Sequence, residues 1–176
     1  MSNTRKKLEN WLKTIDVKGT VLDVGGASMP VKGRTKSWDV SDYKILDHHK
    51  SDYIKDINYP IEDLPRFDNV FCLEVMEYVW NPTTALCNMR NLLKQGGFLY
   101  ISFHFLFPHH NPEKIDYMRY TKRGIEKLLK ETIFKIEEIV PRITINQYAL
   151  KEFCESESKV YRHRNEIGYL VKVKRI

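Results

Sequence analysis

Four short apolar runs in the first half of the chain each contain or meet an acid, and this pattern narrows the available folds more than any other feature. Val21, Leu22 and Val24 surround Asp23, and residues 43–46 run into Asp47. Residues 52–57 hold Asp56 near their end, and residues 67–73, the strongest buried segment, meet Glu74. Runs this short and this rich in β-branched and aromatic residues read as strands, the first and fourth buried on both faces. The first run stops at Gly25-Gly26, where the backbone can take positive φ and a ligand can approach without meeting a Cβ. Taken alone, a glycine pair after a strand is equally an ordinary turn.

Helical signals fall between these strands. Thr4 can cap a helix whose apolar residues are Leu8, Trp11, Leu12 and Ile15, with Lys18-Gly19 ending it before a strand at 20–24. Residues 28–42 show no helical stripe and carry Pro30 and Gly33, so any helix after the first strand is short. Residues 60–65 read as loop. Asn81-Pro82 supplies an N-cap and a first-turn proline, Ala85, Leu86, Met89, Leu92 and Leu93 form an apolar stripe, and Gly96-Gly97 reads as the stop. A strand is expected at 98–103, then a loop rich in His, Pro and aromatics to 120. Thr121 can cap a helix bearing Ile125, Leu128 and Leu129. Residues 134–143 and 167–173 alternate as strands, separated by a polar excursion that could be helical. No repeat, linker or low-complexity tract interrupts 1–176, which reads as one α/β domain with a largely parallel sheet. In such sheets ligands bind at the carboxyl ends of the strands.

Composition excludes several classes. A chain of 176 residues can bury a substantial core, and its +6 charge is spread along it as on a solvated surface, while remaining compatible with an anionic substrate. Cys72, Cys87 and Cys154 are odd in number and lack metal-ligand spacing, which points to reduced thiols in a cytoplasmic protein, with Cys72 and Cys87 as small core residues. The longest apolar run, 98–108, is too short and interrupted to span a bilayer, and no apolar leader is visible, so a soluble protein without a membrane partner is expected. No metal site is expected either, because the adjacent histidines of His48-His49 and His109-His110 project in different directions without completing ligands. No nucleophile elbow is present, and Gly25-Gly26-Ala27-Ser28-Met29-Pro30 lacks the third glycine of a dinucleotide fingerprint. Nucleic acid is not expected as a partner, since there is no recognition module or basic tail.

The acids then fall on one rim. Asp47 stands 22 residues after Gly25, about the spacing at which an acid accepts hydrogen bonds from both ribose hydroxyls. Each acid also has a structural explanation, since Asp favours turns and helix caps.

In their order, these segments resemble the class I S-adenosylmethionine-dependent methyltransferases, in particular the small single-domain type-11-like group. Val-Leu-Asp-Val-Gly-Gly-Ala (21–27) is similar to the family's glycine-rich first motif, and Tyr-Lys-Ile-Leu-Asp (43–47) to its second strand with the ribose acid. Asp56-Ile57 with Ile-Glu-Asp-Leu-Pro (61–65), residues 67–79, and Asn-Leu-Leu-Lys-Gln-Gly-Gly-Phe-Leu-Tyr-Ile-Ser (91–102) resemble the motifs that follow. The resemblance implies a Rossmann-like three-layer sandwich with a seven-stranded, mostly parallel sheet whose last strand is antiparallel. It also implies S-adenosyl-L-methionine as cofactor, held by Asp47 at the ribose, by Asp56 and Ile57 at the adenine, and by Asp23, Gly25 and Glu74 at the methionine end, with Gly26 and Ala27 completing the turn. Glu74 could in addition favour the cationic donor over its neutral product. The sequence departs from the family at Ala27 and Met29, where glycines are usual, at Tyr78 for the usual His, and at Gln95 for a turn proline.

Residues 103–121 follow the fifth strand, where the family's acceptor pocket lies. They offer His110 as a general base, His104 and Tyr117 as acceptor-side groups, and Arg119 as an anion clamp. The other reading of this stretch is an ordered loop in which Asp116 pairs with Arg119 and the aromatics seal the core. The acceptor implied is a small molecule or a saccharide, with a homodimer as one way to complete its pocket. The alternative from another class is a non-catalytic subunit that binds the cofactor or a partner.

Overall fold

Ser2 opens the first helix. Its Oγ accepts the Arg5 N–H at 3.3 Å, and α1 (Asn3–Leu12) buries Leu8, Trp11 and Leu12 on one side. Thr4, the expected cap, lies inside the first turn. The computed structural model describes residues 2–109, 113–143 and 166–176. The segment between the last two strands, and His110, lie outside them.

Seven strands follow: β1 (Asp16–Val24), β2 (Ser37–Asp47), β3 (Tyr53–Ile54), β4 (Phe67–Cys72), β5 (Leu93–His104), β6 (Phe134–Ile143) and β7 (Glu166–Arg175). They form one sheet in the order β3-β2-β1-β4-β5-β7-β6. β7 runs antiparallel to both neighbours, β5 and β6, and every other pair is parallel. This is the Rossmann-like arrangement with an antiparallel last strand.

Two further helices are capped as the sequence predicts. Asn81 caps α2 (Pro82–Leu92), its Oδ1 accepting Thr84 N–H at 3.4 Å, and Thr121 caps α3 (Lys122–Glu131), its Oγ1 accepting Gly124 N–H at 3.1 Å. α2 and α3 cover one face of the sheet, packing Leu86, Met89, Ile125 and Leu129 against Leu22, Val70 and Leu99. α1 covers the other face, where Phe71 and Tyr100 on adjacent strands stack at 4.6 Å and Trp11 meets Tyr100 edge-on at 6.1 Å. Three layers result. A parallel β1–β2 pair needs a crossover, usually a helix. Here residues 25–36 contain no helix, and the wholly buried Val31 plugs the face that a helix would cover.

The structure corrects several expectations. Lys18-Gly19 does not end a helix. It lies inside β1, and the pairing with β2 slips by one residue between Gly19 and Thr20. Asp68 of β4 fastens that bulge, accepting Thr20 N–H and Oγ1–H at 2.8 Å each and the Lys94 ammonium at 2.8 Å. Gly96-Gly97 likewise lies within β5, because α2 ends at Leu92 and the strand starts immediately after it. β2 is longer than expected and β3 shorter. Cys72 is buried in the core, but Cys87 on α2 is exposed.

Candidate active site

The carboxyl ends of β1, β2 and β4 open onto a cleft of about 520 Å³ whose walls include Gly25, Asp47, Asp56, Ile57, Glu74 and Tyr78. Of the residues singled out in the sequence, Gly25, Ala27, Asp47, Asp56, Ile57, Glu74 and Tyr117 line this cleft.

At the end of β2, Asp47 is nearly buried, at 8% exposure. Its Oδ2 accepts Ala27 N–H at 3.3 Å, its Oδ1 accepts His49 N–H at 3.2 Å, and His48 Nδ1 stands 3.1 Å from Oδ1. The carboxylate is thus fixed between the glycine turn and its own strand end. Gly25, at φ +76°, donates its N–H to Leu46 O at 2.8 Å. A Cβ there would be strained and would strike Val75.

Asp56 accepts both Asn58 N–H and Asn58 Nδ2–H at 2.9 Å, while Asn58 Oδ1 accepts Asn81 N–H at 3.1 Å. This side of the cleft is therefore tied to the start of α2. Behind it, Asn88 donates to the carbonyls of Ile57 (3.0 Å) and Tyr59 (2.7 Å) and accepts Ile61 N–H at 3.1 Å. Ile57 is buried with its neighbours and gives the cleft an apolar wall. Asn58 and Asn88 were not singled out from sequence. Asn88 left a trace, as the one polar residue inside the apolar stripe of α2.

Asp23 differs from its expected role. At 2% exposure it lines no cleft, and its Oδ2 accepts Val31 N–H and the Tyr43 hydroxyl at 2.7 Å each. Burial pushes its carboxyl up to about 6, against the lowering effect of those hydrogen bonds. Gly26 also faces inward, because a Cβ there would run into the Asp23 carboxyl. Both residues hold the turn from behind. Ala27 and Ser28 line the cleft, and Met29, half exposed, lines the space beside it.

Glu74 follows β4 in a left-handed conformation, φ +59°. Its N–H donates to Ser102 Oγ at 2.7 Å, and its Oε1 accepts the Ser102 hydroxyl at 2.7 Å. Arg142 of β6, 1% exposed, donates to Oε1 at 2.7 Å and to Oε2 at 3.0 Å. Burial alone would raise this carboxyl, but the Arg142 hydrogen bonds and charge outweigh it and hold Glu74 down at about 2. Arg142 has no local sequence signal, being one of four charged residues in a strand and 68 residues from Glu74.

The stretch after β5 divides. Tyr117 and Ile115 reach the cleft, and Tyr117 N–H donates to Glu77 O at 2.8 Å. His104, expected on the acceptor side, is instead 1% exposed, with Nε2 at 3.2 Å from Glu77 and 3.5 Å from Glu74. It is the last residue of β5, whose final six positions are all buried because both faces of the strand are covered. Arg119, offered as an anion clamp or as the partner of Asp116, takes the second role: it forms a two-pronged pair with Asp116 at 2.6 Å and binds the carbonyls of Phe107, Pro108 and Met118. It organises the loop. Tyr78 lines the cleft, its hydroxyl pushed up to about 12 by burial and by the nearby carboxylates of Glu77, Asp116 and Glu74.

A second cleft, of about 440 Å³, adjoins the first through Gly25, Ser28, Glu74 and Tyr78, and reaches α1 at Thr4 and Arg5. Among the described residues no group of three or more His, Cys, Asp or Glu side chains could hold a metal ion, and no helix is long and apolar enough to cross a membrane.

Residues 34–101 match the methyltransferase-domain family, a span that starts after the glycine turn. A ubiquinone biosynthesis O-methyltransferase of Glaesserella parasuis serovar 5 (strain SH0165) is 41% identical over 51 residues, which cover 29% of this chain and about a fifth (21%) of that protein. The fold is similar to a methyltransferase structure from Bacillus halodurans C-125, with a TM-score of 0.63 and 17% identity over 96% of this chain and 97% of that one. It is also similar to the N-methyltransferase NodS of Bradyrhizobium japonicum WM9 in complex with S-adenosyl-L-homocysteine, with a TM-score of 0.62 and 16% identity over 97% of this chain and 85% of that one. The chain has the class I S-adenosylmethionine-dependent methyltransferase fold.

Proposed function

We propose that this chain, acting as one domain over 1–176, binds S-adenosyl-L-methionine in the first cleft and transfers its methyl group to a small-molecule or saccharide acceptor. The observation that carries the reading is the pairing of Asp47 with Asp56 and Ile57 on the wall beyond the glycine turn. The lining suits an adenosyl group: Leu46, Ile57 and Val79 offer apolar surface to a flat ring, and the two carboxylates offer acceptors to its hydroxyl and amino hydrogens. The Gly25 turn lets a chain pass close to the backbone.

The cofactor, when bound, supplies an activated sulfonium methyl, so that the acceptor's lone pair forms the new bond to carbon while the carbon–sulfur pair returns to sulfur. The chain's residues need only align and exclude water. Asp47 orients the ribose, Ile57 and Asp56 fix the ring, and Tyr78 and Tyr117 wall the side where the acceptor enters. The acceptor's proton passes to a base or to solvent. His110 is our proposed base, and its replacement by Ala should lower kcat for an acceptor of high pKa while leaving cofactor affinity intact. The free thiols of Cys72 and Cys87 suit a reducing, cytoplasmic setting.

Calorimetric titration tests the reading: S-adenosylmethionine should bind the chain, and absence of heat at millimolar cofactor counts against it. One observation favours the second reading, a non-catalytic subunit that binds the same cofactor. Glu74, the acid nearest the expected sulfonium, is already neutralised by Arg142. Binding without methyl incorporation into any acceptor of a broad panel would select that reading.

A further inference from the structure

The second cleft carries more positive charge than the chain neutralises. Three guanidinium groups line it: Arg5 from α1, Arg34 from the 25–36 connection and Arg142 from β6. Glu74 is fully engaged with Arg142. Arg5 and Arg34 share a single carboxylate, Glu9, at 2.6 and 2.9 Å. One positive charge is left over. Arg34 is committed, donating to both Glu9 oxygens and to the carbonyls of Met29 and Pro30. Arg5 gives Glu9 only its Nε, so its two terminal amino groups make no hydrogen bond among the described residues. Arg142 Nε, wholly buried, likewise has no hydrogen-bond partner among the described residues. Leu8, Met29, Leu73 and Phe107 give the space an apolar side, and the hydroxyls of Ser2, Thr4 and Ser28 line the rest of it.

We infer that the second cleft is the acceptor subsite and that it takes a small apolar or aromatic acid, its carboxylate on Arg5 and its nucleophilic group directed at the joint between the clefts. The inference rests on the methyl-transfer reading above for the identity of the neighbouring ligand, but not for the charge recognition itself. At about 440 Å³ the space falls in the range that encloses an entire small molecule, more than the amino-acid end of a cofactor needs. A guanidinium with both terminal amino groups available matches a carboxylate through two parallel charge-assisted hydrogen bonds. The amino-terminal end of α1, on the same wall, adds a dipole of favourable sign. The apolar side chains give a flat carbon skeleton a surface that a saccharide would not use. The four residues shared with the first cleft, Gly25, Ser28, Glu74 and Tyr78, mark where the two ligands meet.

The test uses the full chain, with and without saturating S-adenosylhomocysteine, and two probes of one shape: 1-hydroxy-2-naphthoate and its carboxamide. The acid should bind at least tenfold more tightly than the amide. Arg5→Gln should reduce that ratio to below about twofold, with S-adenosylmethionine affinity changed by less than twofold and with an unaltered thermal transition. Arg5→Lys, which keeps the charge, should retain most of the ratio. Equal binding of acid and amide to the wild-type chain overturns the inference. So does a large loss of S-adenosylmethionine affinity in Arg5→Gln, because Arg5 would then hold the cofactor's own carboxylate. An Arg5-dependent preference for the acid in a chain that fails to bind S-adenosylmethionine upholds the charge-recognition site and overturns the methyl-transfer reading alone.

Discussion

Asp47 and Glu74 lie on either side of one glycine turn, at the carboxyl ends of the two parallel strands that flank β1, yet they are held in opposite ways. Asp47 is fixed by backbone N–H groups only two and twenty residues away, at 3.2–3.3 Å, with the His48 ring 3.1 Å from it, and among the described residues no Arg or Lys neutralises it. Glu74 is clamped by a buried arginine 68 residues away and by Ser102, through bonds of 2.7–3.0 Å. The first is weakly held and keeps acceptor capacity for a ligand. The second is strongly held and has little left to give. The adenosine side of the site is therefore built for recognition, and the Glu74 side is built first for cohesion of the sheet. Position on the rim does not distinguish the two carboxylates, but their partners do.

The sharpest way to break this comparison is to remove Arg142. Arg142→Met leaves the Glu74 carboxylate without its counter-charge, and a loss of about 3 kcal/mol in unfolding free energy is expected from urea denaturation. Glu74→Gln combined with Arg142→Met should recover most of it. Because Glu74 is held at about 2 against an ordinary 4.5, its contribution is present above pH 4.5 and is lost as pH falls toward 2. That acid-side loss should vanish in the double variant. On the other side, Asp47→Ala should weaken S-adenosylmethionine binding by about 10- to 100-fold, equivalent to ~2 kcal/mol for a charge-assisted hydrogen bond, while changing stability by less than about 1 kcal/mol.

Asp23 sharpens the comparison with the reverse sign. Its carboxyl is held at about 6 against an ordinary 3.8, so its protonated form favours folding, and the stability it gives below pH 3.8 is lost as pH rises through 6. Asp23→Asn should remove that dependence, gaining about 2 kcal/mol on the wild type between pH 4 and pH 7 in parallel unfolding curves. The smallest effect is expected from Asn81→Ala. Loss of the α2 cap should cost ~1 kcal/mol, and S-adenosylmethionine affinity should fall by no more than about threefold, through the Asn58–Asp56 link.

What could be read from the sequence was local. The Asn81-Pro82 and Thr121 caps, the apolar run that became β4 and the acid ending β2 each carry their signal within a few residues, and the structure places them as expected. The errors arose where a long-range partner decided. Gly19 looks like a helix stop until Asp68 is seen to fasten the bulge beside it. Asp23 looks like a ligand acid until Tyr43 and Val31 close over it. His104 looks like polar loop chemistry until β5 is seen to be covered on both faces at its end, whereas of the two readings offered for Arg119 the structure selects the pair with Asp116. Arg142 could not be found by periodicity at all, since an alternating strand gives its charged positions no label. Cys87 on the solvent side of α2 shows that composition alone does not assign a face.

The contacts of α1 with the edge strand β6 have a consequence for how the chain matures. Trp11 Nε1 donates to Glu138 at 3.0 Å and Arg142 donates to Thr4 O at 3.2 Å, contacts that bridge 127 and 138 residues. The helix is synthesised long before β6, the strand it leans on. Closing so large a loop is slow, so α1 should be among the last of these elements to dock although it precedes the strands in sequence. Until then Leu8, Trp11 and Leu12 have only part of their final surface to cover them, a natural target for a holding chaperone. The nascent chain can complete its adenosine wall early. The Arg142 side of the neighbouring cleft arrives only with β6.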